Sequence, residues 1–560
     1  MSVGHRRAWR DAASRVSIAV VAFCAALLYA CGGGGGGSSA PPPLPPDSQF
    51  RASALSPFAA GCDGAAVTGT LYVNAEVEPY VAVNPRNAAN LIGVWQQDRW
   101  SNGGARGLLT GVSVDGGHTW TQRMAAFSRC AGGNAANGGD YARASDPWVT
   151  IAPDGTAYQI AIAFNGETLA AGSSGAVLVS RSADGGNTWS APLALITDAS
   201  DFFNDKESIT ADPADARLVY AVWDRLTAGA GGPTYFSRTT DGGISWEAPR
   251  AIFDPGAPNQ TINNQLVVLP DGTLVVFFTR FDATPTGGTA ATLAVIRSLD
   301  KGITWSTPIS ISAVQSVGAR DPETHAAIRD ASNLGSIAAG PQGELVAAWQ
   351  DSRFSGGLRD GIALSRSVDG GLTWSTPARI NADPAVQAFL PSVAVRGDGT
   401  IGVLYYDLRS NTTDPTTLPT DIWLARSADA VTWLESHVAG PFDFAIAPNA
   451  LGLFVGDYQS IVSIGGEFVP FYAQTNNGDT NNRTDIFASL VTSAGTAREA
   501  AAAIAAEGAA APMRAEFAAP LPLTPELAQR LTDSIVRMMQ RRVPGWTPHG
   551  VIRPPAPITP

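Results

Sequence analysis

The octapeptide SVDGGHTW at Ser113–Trp120 returns as SADGGNTW (Ser182–Trp189), TTDGGISW (Thr239–Trp246), SLDKGITW (Ser298–Trp305) and SVDGGLTW (Ser367–Trp374). A shortened copy, SADAVTW, runs from Ser427 to Trp433. The aspartates fall at 115, 184, 241, 300, 369 and 429, a period near 60. Four strand-like stretches per unit at that period mark a β-propeller. The composition of the box has a physical reason. Asp and Ser/Thr side chains bond the backbone of a tight turn, and Gly takes φ > 0 without steric cost. The Trp is expected to begin the next strand and wedge between neighbouring sheets.

The third unit parses into strands at Ser208–Ala211, Leu218–Trp223, Thr234–Thr239 and Trp246–Ile252, with the period-2 alternation of half-buried strands. After the sixth box, Tyr458–Ile464, Phe468–Gln474 and Asp485–Val491 repeat the first three strands with no box behind them. An N-terminal strand at Thr68–Val73 is expected to complete this last unit, which removes two exposed edges. The expectation is an all-β, seven-bladed β-propeller over residues 56–495. Six blades with an extra sheet is the alternative. The tail, 496–560, is Ala- and Pro-rich and is expected to be loosely ordered to about 520. Thr524-Pro525 supplies an N-cap and an N1 proline, and Leu527, Leu531, Ile535 and Met538 follow at helical spacing. One short helix at about 525–542 is predicted, packing on the propeller or presenting a face to a partner or membrane surface.

The octapeptide is similar to the Asp box of the BNR repeat, found in sialidases and in several unrelated propellers. That resemblance implies a box between the third and fourth strands of each blade, away from the active face, so the boxes report fold rather than catalysis. It covers about residues 75–492. Sialidases have six blades, and they grip a substrate carboxylate with three arginines, the first in an (F/Y)-R-I-P motif. Here the corresponding region reads AEVEPYVAVNP (Ala75–Pro85), so no sialidase catalytic residue is carried over.

Arg6, Arg7, Arg10 and Arg15 precede the apolar run Val16–Ala30, the pattern of a signal peptide over residues 1–30. Leu28-Tyr29-Ala30-Cys31 resembles a bacterial lipobox, which makes Cys31 the lipidated first residue of an exported lipoprotein; plain secretion is the alternative. Residues 31–55 read as a Gly/Pro-rich tether. Cys62 and Cys130 then form a disulfide in an oxidising compartment, or stand as two separate thiols. The whole chain holds 37 basic and 49 acidic residues, a formal charge of −12. Loss of residues 1–30, with four Arg and one Asp, takes it to −15. Such a charge disfavours phosphate backbones, so nucleic acid is not an expected partner.

In a propeller the loops before the first strand and after the second share one mouth. Acids and bases crowd those positions: Glu78, Asp146, Asp205-Lys206-Glu207 and Asp457-Tyr458 before first strands, and Asp98-Arg99-Trp100, Asp224-Arg225, Arg280-Phe281-Asp282, Asp351-Ser352-Arg353 and Asp407-Leu408-Arg409 after second strands. The recurrent Asp/Arg sets read as ion pairs bracing adjacent blades. Residues that break the repeat are the better functional candidates. Asp146, Asp205, Glu207, Asp457 and Tyr458 are the catalytic candidates, since paired carboxylates suit glycoside hydrolysis. Lys206, Arg225, Arg353, Arg409, Trp100 and Trp148 are the candidates for binding substrate. No cofactor is required by this reading, although the same carboxylates would suit calcium. G-x-S-x-G, Walker and H-E-x-x-H motifs are absent.

Two functions stay open: a sialidase-like glycoside hydrolase, and a non-catalytic module that binds polysaccharide or protein. In both the protein is exported, monomeric, attached to the cell envelope through its lipid alone, and engaged with extracellular glycan. An assembly role at the envelope rests on the anchor alone.

Overall fold

The computed structural model describes residues 49–64, 68–227, 231–285, 288–491, 512–543, 546–547 and 550–551. The signal segment, Cys31 and most of the tether lie outside the described residues. The chain is all-β apart from one α-helix and two short 3₁₀ turns among the described residues.

The described chain opens with β1 (Gln49–Arg51). Four strands then pair antiparallel in sequence order: β2 (Leu71–Asn84), β3 (Asn87–Trp100), β4 (Ala105–Ser113) and β5 (Thr121–Arg123). The same meander returns as β6 (Arg143–Ile151), β7 (Ala157–Asn165), β8 (Ser174–Ser182) and β9 (Leu193–Ala199). It returns again as β10 (Phe202–Ala211), β11 (Val219–Thr227), β12 (Thr234–Thr239) and β13 (Arg250–Phe253). Next come β14 (Gln260–Val268), β15 (Leu274–Ala283), β16 (Thr289–Ser298) and β17 (Ile309–Ala313). They are followed by β18 (Gly335–Ala339), β19 (Leu345–Asp351), β20 (Gly361–Ser367) and β21 (Ala378–Arg379). β22 (Ala388–Val395), β23 (Ile401–Asp407), β24 (Pro419–Ser427) and β25 (Thr432–Asp443) form a further meander. β26 (Ser460–Ile464), β27 (Glu467–Thr475) and β28 (Thr484–Ser489) end the series.

First strands of successive meanders touch in turn, β2 with β6, β6 with β10, and so on to β22 with β26; β26 also touches β2. The core fills the spaces between sheets, with Trp95, Trp223 and Trp349 of second strands fully buried. The free edge of β28 is taken by β1, in the register Gln49↔Ser489, Phe50↔Ala488 and Arg51↔Phe487. This corrects the expected partner. The segment 68–73 leads into β2, which meets β28 at one parallel bridge, Ala75↔Thr484. The first described strand therefore falls inside the stretch read as tether.

The boxes are built as their composition demands. In the fifth, Asp369 accepts from Ser367 Oγ (2.8 Å), Leu372 N (3.1 Å), Thr373 N (2.9 Å) and Thr373 Oγ1 (2.6 Å). Lys301 (φ 60°) and, in the shortened sixth box, Ala430 (φ 61°) hold the left-handed conformation where the other four boxes place Gly. The box Trp opens the next strand in some units only: Trp433 lies within β25 and Trp120 directly precedes β5, whereas Trp246 stands four residues ahead of β13. Trp120 Nε1 also donates back to Gly117 O at 2.9 Å.

The tail is more ordered than composition suggested. β29 (Met513–Arg514) adds to β25, and β30 (Glu516–Phe517) adds to β21. Helix α1 spans Pro525–Arg542 and is capped by Thr524, whose Oγ1 accepts from Leu527 N. It buries Leu527, Leu531, Ile535, Met538 and Met539. Its buried face meets loops that follow β17 and β19: Arg537 Nη2 donates to Val317 O at 2.9 Å and Arg530 Nη2 to Leu358 O at 3.0 Å. Cys62 and Cys130 are joined in a disulfide.

Candidate functional site

In five first strands the pairing with the second strand slips at a corresponding place, Val77/Tyr80, Ser145/Trp148, Asp205/Ser208, Ile262/Gln265 and Phe389/Ser392, β2 having two further slips. At each slip one residue enters the left-handed region: Glu78 (φ 56°), Asp146 (51°), Lys206 (49°), Asn263 (63°) and Leu390 (55°). Holding a non-Gly residue there costs on the order of 1–3 kcal/mol. Its recurrence makes the bulge a built feature that re-aims one side chain per strand.

Three of these bulge residues meet. Lys206 Nζ donates to Asp146 Oδ1 at 2.6 Å and to Asp457 Oδ2 at 2.9 Å, and lies 3.5 Å from Glu78 Oε1. Asp457 is also gripped by Arg329, Nε to Oδ1 at 3.0 Å and Nη2 to Oδ2 at 2.5 Å. Ser145 Oγ donates to the second oxygen of Asp146 (2.8 Å), and Gln96 Nε2 donates to Glu78 Oε2. The group is closed to solvent, with Lys206 only 7% exposed. Burial opposes the Lys206 charge, yet Asp146, Asp457 and Glu78 raise its pKa well above the ordinary lysine value. Burial likewise opposes ionisation of Asp457, but Arg329 and Lys206 hold it well below the usual carboxylate range. Glu78 moves the other way, to about 7, through burial and the charge of Asp146.

A second group lies beside the first. Arg542, the last residue of α1, donates from Nε to Asp205 Oδ2 at 2.5 Å and from Nη2 to Asp224 Oδ2. Burial, against the pull of Arg542, lifts Asp224 to about 8. Glu207 is 3% exposed, and neither carboxylate oxygen has a hydrogen-bond partner among the described residues. Burial and the charge of Asp146 raise its pKa well above the usual carboxylate value.

The sequence candidates therefore separate. Asp146, Lys206 and Asp457 share one ion cluster; Asp205 is held by Arg542. Tyr458 donates to Pro147 O at 3.1 Å and takes the edge of Trp148, which stacks on Tyr80 at 3.6 Å. Burial pushes the Tyr458 hydroxyl well above its ordinary pKa, the wrong direction for a nucleophile. Three arginines proposed to bind substrate are instead braces. Arg225 pairs with Asp198 of β9 and lies over Phe202; Arg353 pairs with Asp351 and reaches Ala313 O; Arg409 pairs with Asp407 and Glu435 and lies over Trp423. Trp100 is buried under the Arg143 guanidinium, 4.9 Å away. Arg329 and Arg542 were not singled out by sequence. No local signal marks either, since their partners lie 128 and more than 300 positions away.

Calcium does not fit the converging carboxylates. The Lys206 ammonium stands where Asp146, Asp457 and Glu78 meet, the place a cation would need. Among the described residues one other set has ligand-like spacing, Cys62, Asp63 and Cys130, and its two sulfurs are bonded to each other. Deeper along the first strands, Tyr80, Trp148, Asp457 and Tyr458 line a cavity of about 70 Å³. That is room for water, not for a sugar ring in a pocket of usual size, roughly 300–1,000 Å³.

Residues 234–439, β12 to β25, match the BNR repeat-like domain. The match covers a little over a third of the chain. Curated protein sequences gave no match. Among solved structures it is similar to a protein of unknown function from Dyadobacter fermentans, at 16% identity and a TM-score of 0.42 over 80% of this chain and 98% of that one. It is similar to a Hadza microbial sialidase, at 15% identity and 0.41 over 74% and 75%. It is also similar to an α-L-arabinofuranosidase from Fusarium graminearum, at 11% identity and 0.39 over 64% and 92%. These likenesses leave the chemistry of the mouth to be read from its own residues.

Proposed function

We propose that the chain is an exported, lipid-anchored, seven-bladed propeller that binds extracellular glycan without hydrolysing it at the central mouth. One observation carries the choice of binding over catalysis: Lys206, Arg329 and Arg542 pair with Glu78, Asp146, Asp457, Asp205 and Asp224, and the cavity beside Asp457 and Tyr458 is only about 70 Å³. Seven blades are supported by the succession of first-strand contacts and by β1 filling the edge of β28. Glycan as the ligand class rests on the Asp-box resemblance to sialidases. Export and lipidation at Cys31 rest on the leader-like N-terminus.

A hydrolase is the second reading, favoured by Glu207, a buried acid whose pKa is raised well above the usual value and whose carboxylate has no hydrogen-bond partner among the described residues. The test is a glycan array together with chromogenic glycosides, run on the full chain and on Glu207→Gln. Binding without release of chromophore supports the binding module. Turnover abolished by Glu207→Gln establishes the hydrolase instead, and neither binding nor turnover overturns both.

A further inference from the structure

The loops on the mouth face and helix α1 enclose a cleft of about 610 Å³, within the range of ligand pockets and far larger than the central cavity. Arg320, Arg359, Arg530 and Arg537 line it, from three separate parts of the chain. Each is tethered by one N–H to a backbone carbonyl: Arg320 to His325 (3.3 Å), Arg359 to Pro384 (3.3 Å), Arg530 to Leu358 (3.0 Å) and Arg537 to Val317 (2.9 Å). Such a bond fixes the direction of the guanidinium but does not neutralise it. Among the described residues no carboxylate lies within ion-pairing distance of any of the four, although most other buried or half-buried arginines on this face are paired.

The carboxylates in the cleft wall are otherwise engaged. Asp321 accepts from Glu323 N at 2.9 Å and from Thr324, closing its own turn. Glu323 accepts from Asn411 Nδ2 and Asp533 from Gln529 Nε2, each at 2.7 Å. Burial and the neighbouring Arg320 charge push Arg537 below the ordinary arginine pKa, although Asp330, Asp533 and Asp360 pull the other way. The four unpaired arginines outnumber the three carboxylates of the wall, a local excess of positive charge in a chain of formal charge −12.

We infer that this cleft is a binding site for a multiply charged oxyanion, a sulfate, phosphate or carboxylate group held by guanidinium forks. Planar guanidinium groups bind such anions with paired N–H bonds, and partial burial strengthens each bond. The site is separate from the central mouth, so it does not depend on whether neutral glycans bind there.

Calorimetric titration of the full chain at low ionic strength tests it, with dextran sulfate, neutral dextran and inorganic phosphate as probes. Dextran sulfate binds, neutral dextran does not, and inorganic phosphate competes; direct binding of phosphate with no binding of the polymer would support a site for the free ion. Arg320→Gln combined with Arg537→Gln weakens the anionic probe at least tenfold. Because Arg537 is a half-buried residue of α1, Arg320→Glu, at an exposed side chain, is the second variant and weakens it at least fivefold. Equal affinity of wild type and Arg320→Glu, or no binding of any anionic probe, overturns the site. Array binding of neutral glycans that survives that result leaves the proposed function standing.

Discussion

Arg542 donates from Nε to Asp205 Oδ2 at 2.5 Å, joining the last turn of α1 to β10 across 337 positions of sequence. With Asp224 on its other arm, the guanidinium places a tail residue between two acids of a mouth that the sequence offered as catalytic. Replacing it by Met strands both carboxylates in a dry site, and breaking a buried pair from one side costs about 3–5 kcal/mol. Arg542→Met is therefore expected to lower the urea midpoint strongly. Asp224→Asn added to it is expected to restore part of the loss. An Arg542→Met protein as stable as wild type would show that α1 does not seal the mouth.

The repeat was legible because a box is a local object: six residues satisfy one another within a single turn, so spacing alone reveals it. Helix α1 was legible for the same reason, through its cap and its 3.6 period. The strand on the edge of β28 was not. Gln49–Arg51 is three residues long, too short to show alternation, and it sits beside a Pro-rich stretch. The site was half legible. Asp146, Lys206 and Asp457 stood out by breaking the repeat ahead of first strands, and they do converge. Glu78 was one acid among many until its left-handed bulge aimed it at Lys206. Arg329 and Arg542 reach their partners by long-range packing, which no local pattern encodes. The recurring Asp/Arg sets show the reverse: Arg280, Arg353 and Arg409 pair within their own sets as braces, while Arg225 turns to Asp198 and leaves Asp224 to Arg542.

The box aspartates give a local prediction. Asp369→Ala removes four accepted hydrogen bonds in an exposed turn and is expected to cost about 1–2 kcal/mol. Anion binding at the arginine cleft should be untouched, because the third-to-fourth-strand turns lie on the opposite face. Melting temperature and the dextran sulfate titration check the two halves.

Acid should stabilise this protein over part of its range. Burial and the neighbouring Asp330 charge raise Asp360 to about 7, and Asp407 is raised to the same value by burial. A carboxyl whose folded pKa exceeds its unfolded value binds more protons folded than unfolded, so stability falls as pH rises from about 4 to about 7 and then levels. The urea midpoint is expected to be higher at pH 5 than at pH 8. Whatever its absolute cost, Asp360→Asn should shrink that difference by on the order of 2 kcal/mol. An unchanged difference would mean that Asp360 titrates normally.

The Cys62–Cys130 bond ties the segment after β1 to the loop between β5 and β6, with a sequence separation of 68. In the chain-entropy model a loop of that length contributes about 4 kcal/mol. Cys62→Ala with Cys130→Ala should lose an amount of this order in equilibrium unfolding, and thiol reductant should destabilise wild type but not the double variant.

Lys206 is the residue on which the centre depends most, and its removal has two signatures. Lys206→Met leaves Asp146 and Glu78 without their shared cation, while Asp457 keeps Arg329. The expected loss is about 3–5 kcal/mol at pH 8. Lys206 is also the main influence holding Glu78 down, so in its absence Glu78 rises further above about 7. By the same linkage, the variant should regain much of its lost stability as pH falls toward 5, because a protonated Glu78 no longer needs the ammonium. Adding Glu78→Gln should remove that regain and leave a loss nearly independent of pH between 5 and 8. Unfolding curves for the single and double variants at both pH values separate the outcomes. A pH-independent loss in Lys206→Met alone would mean that Glu78 and Lys206 do not share the charge their 3.5 Å separation implies.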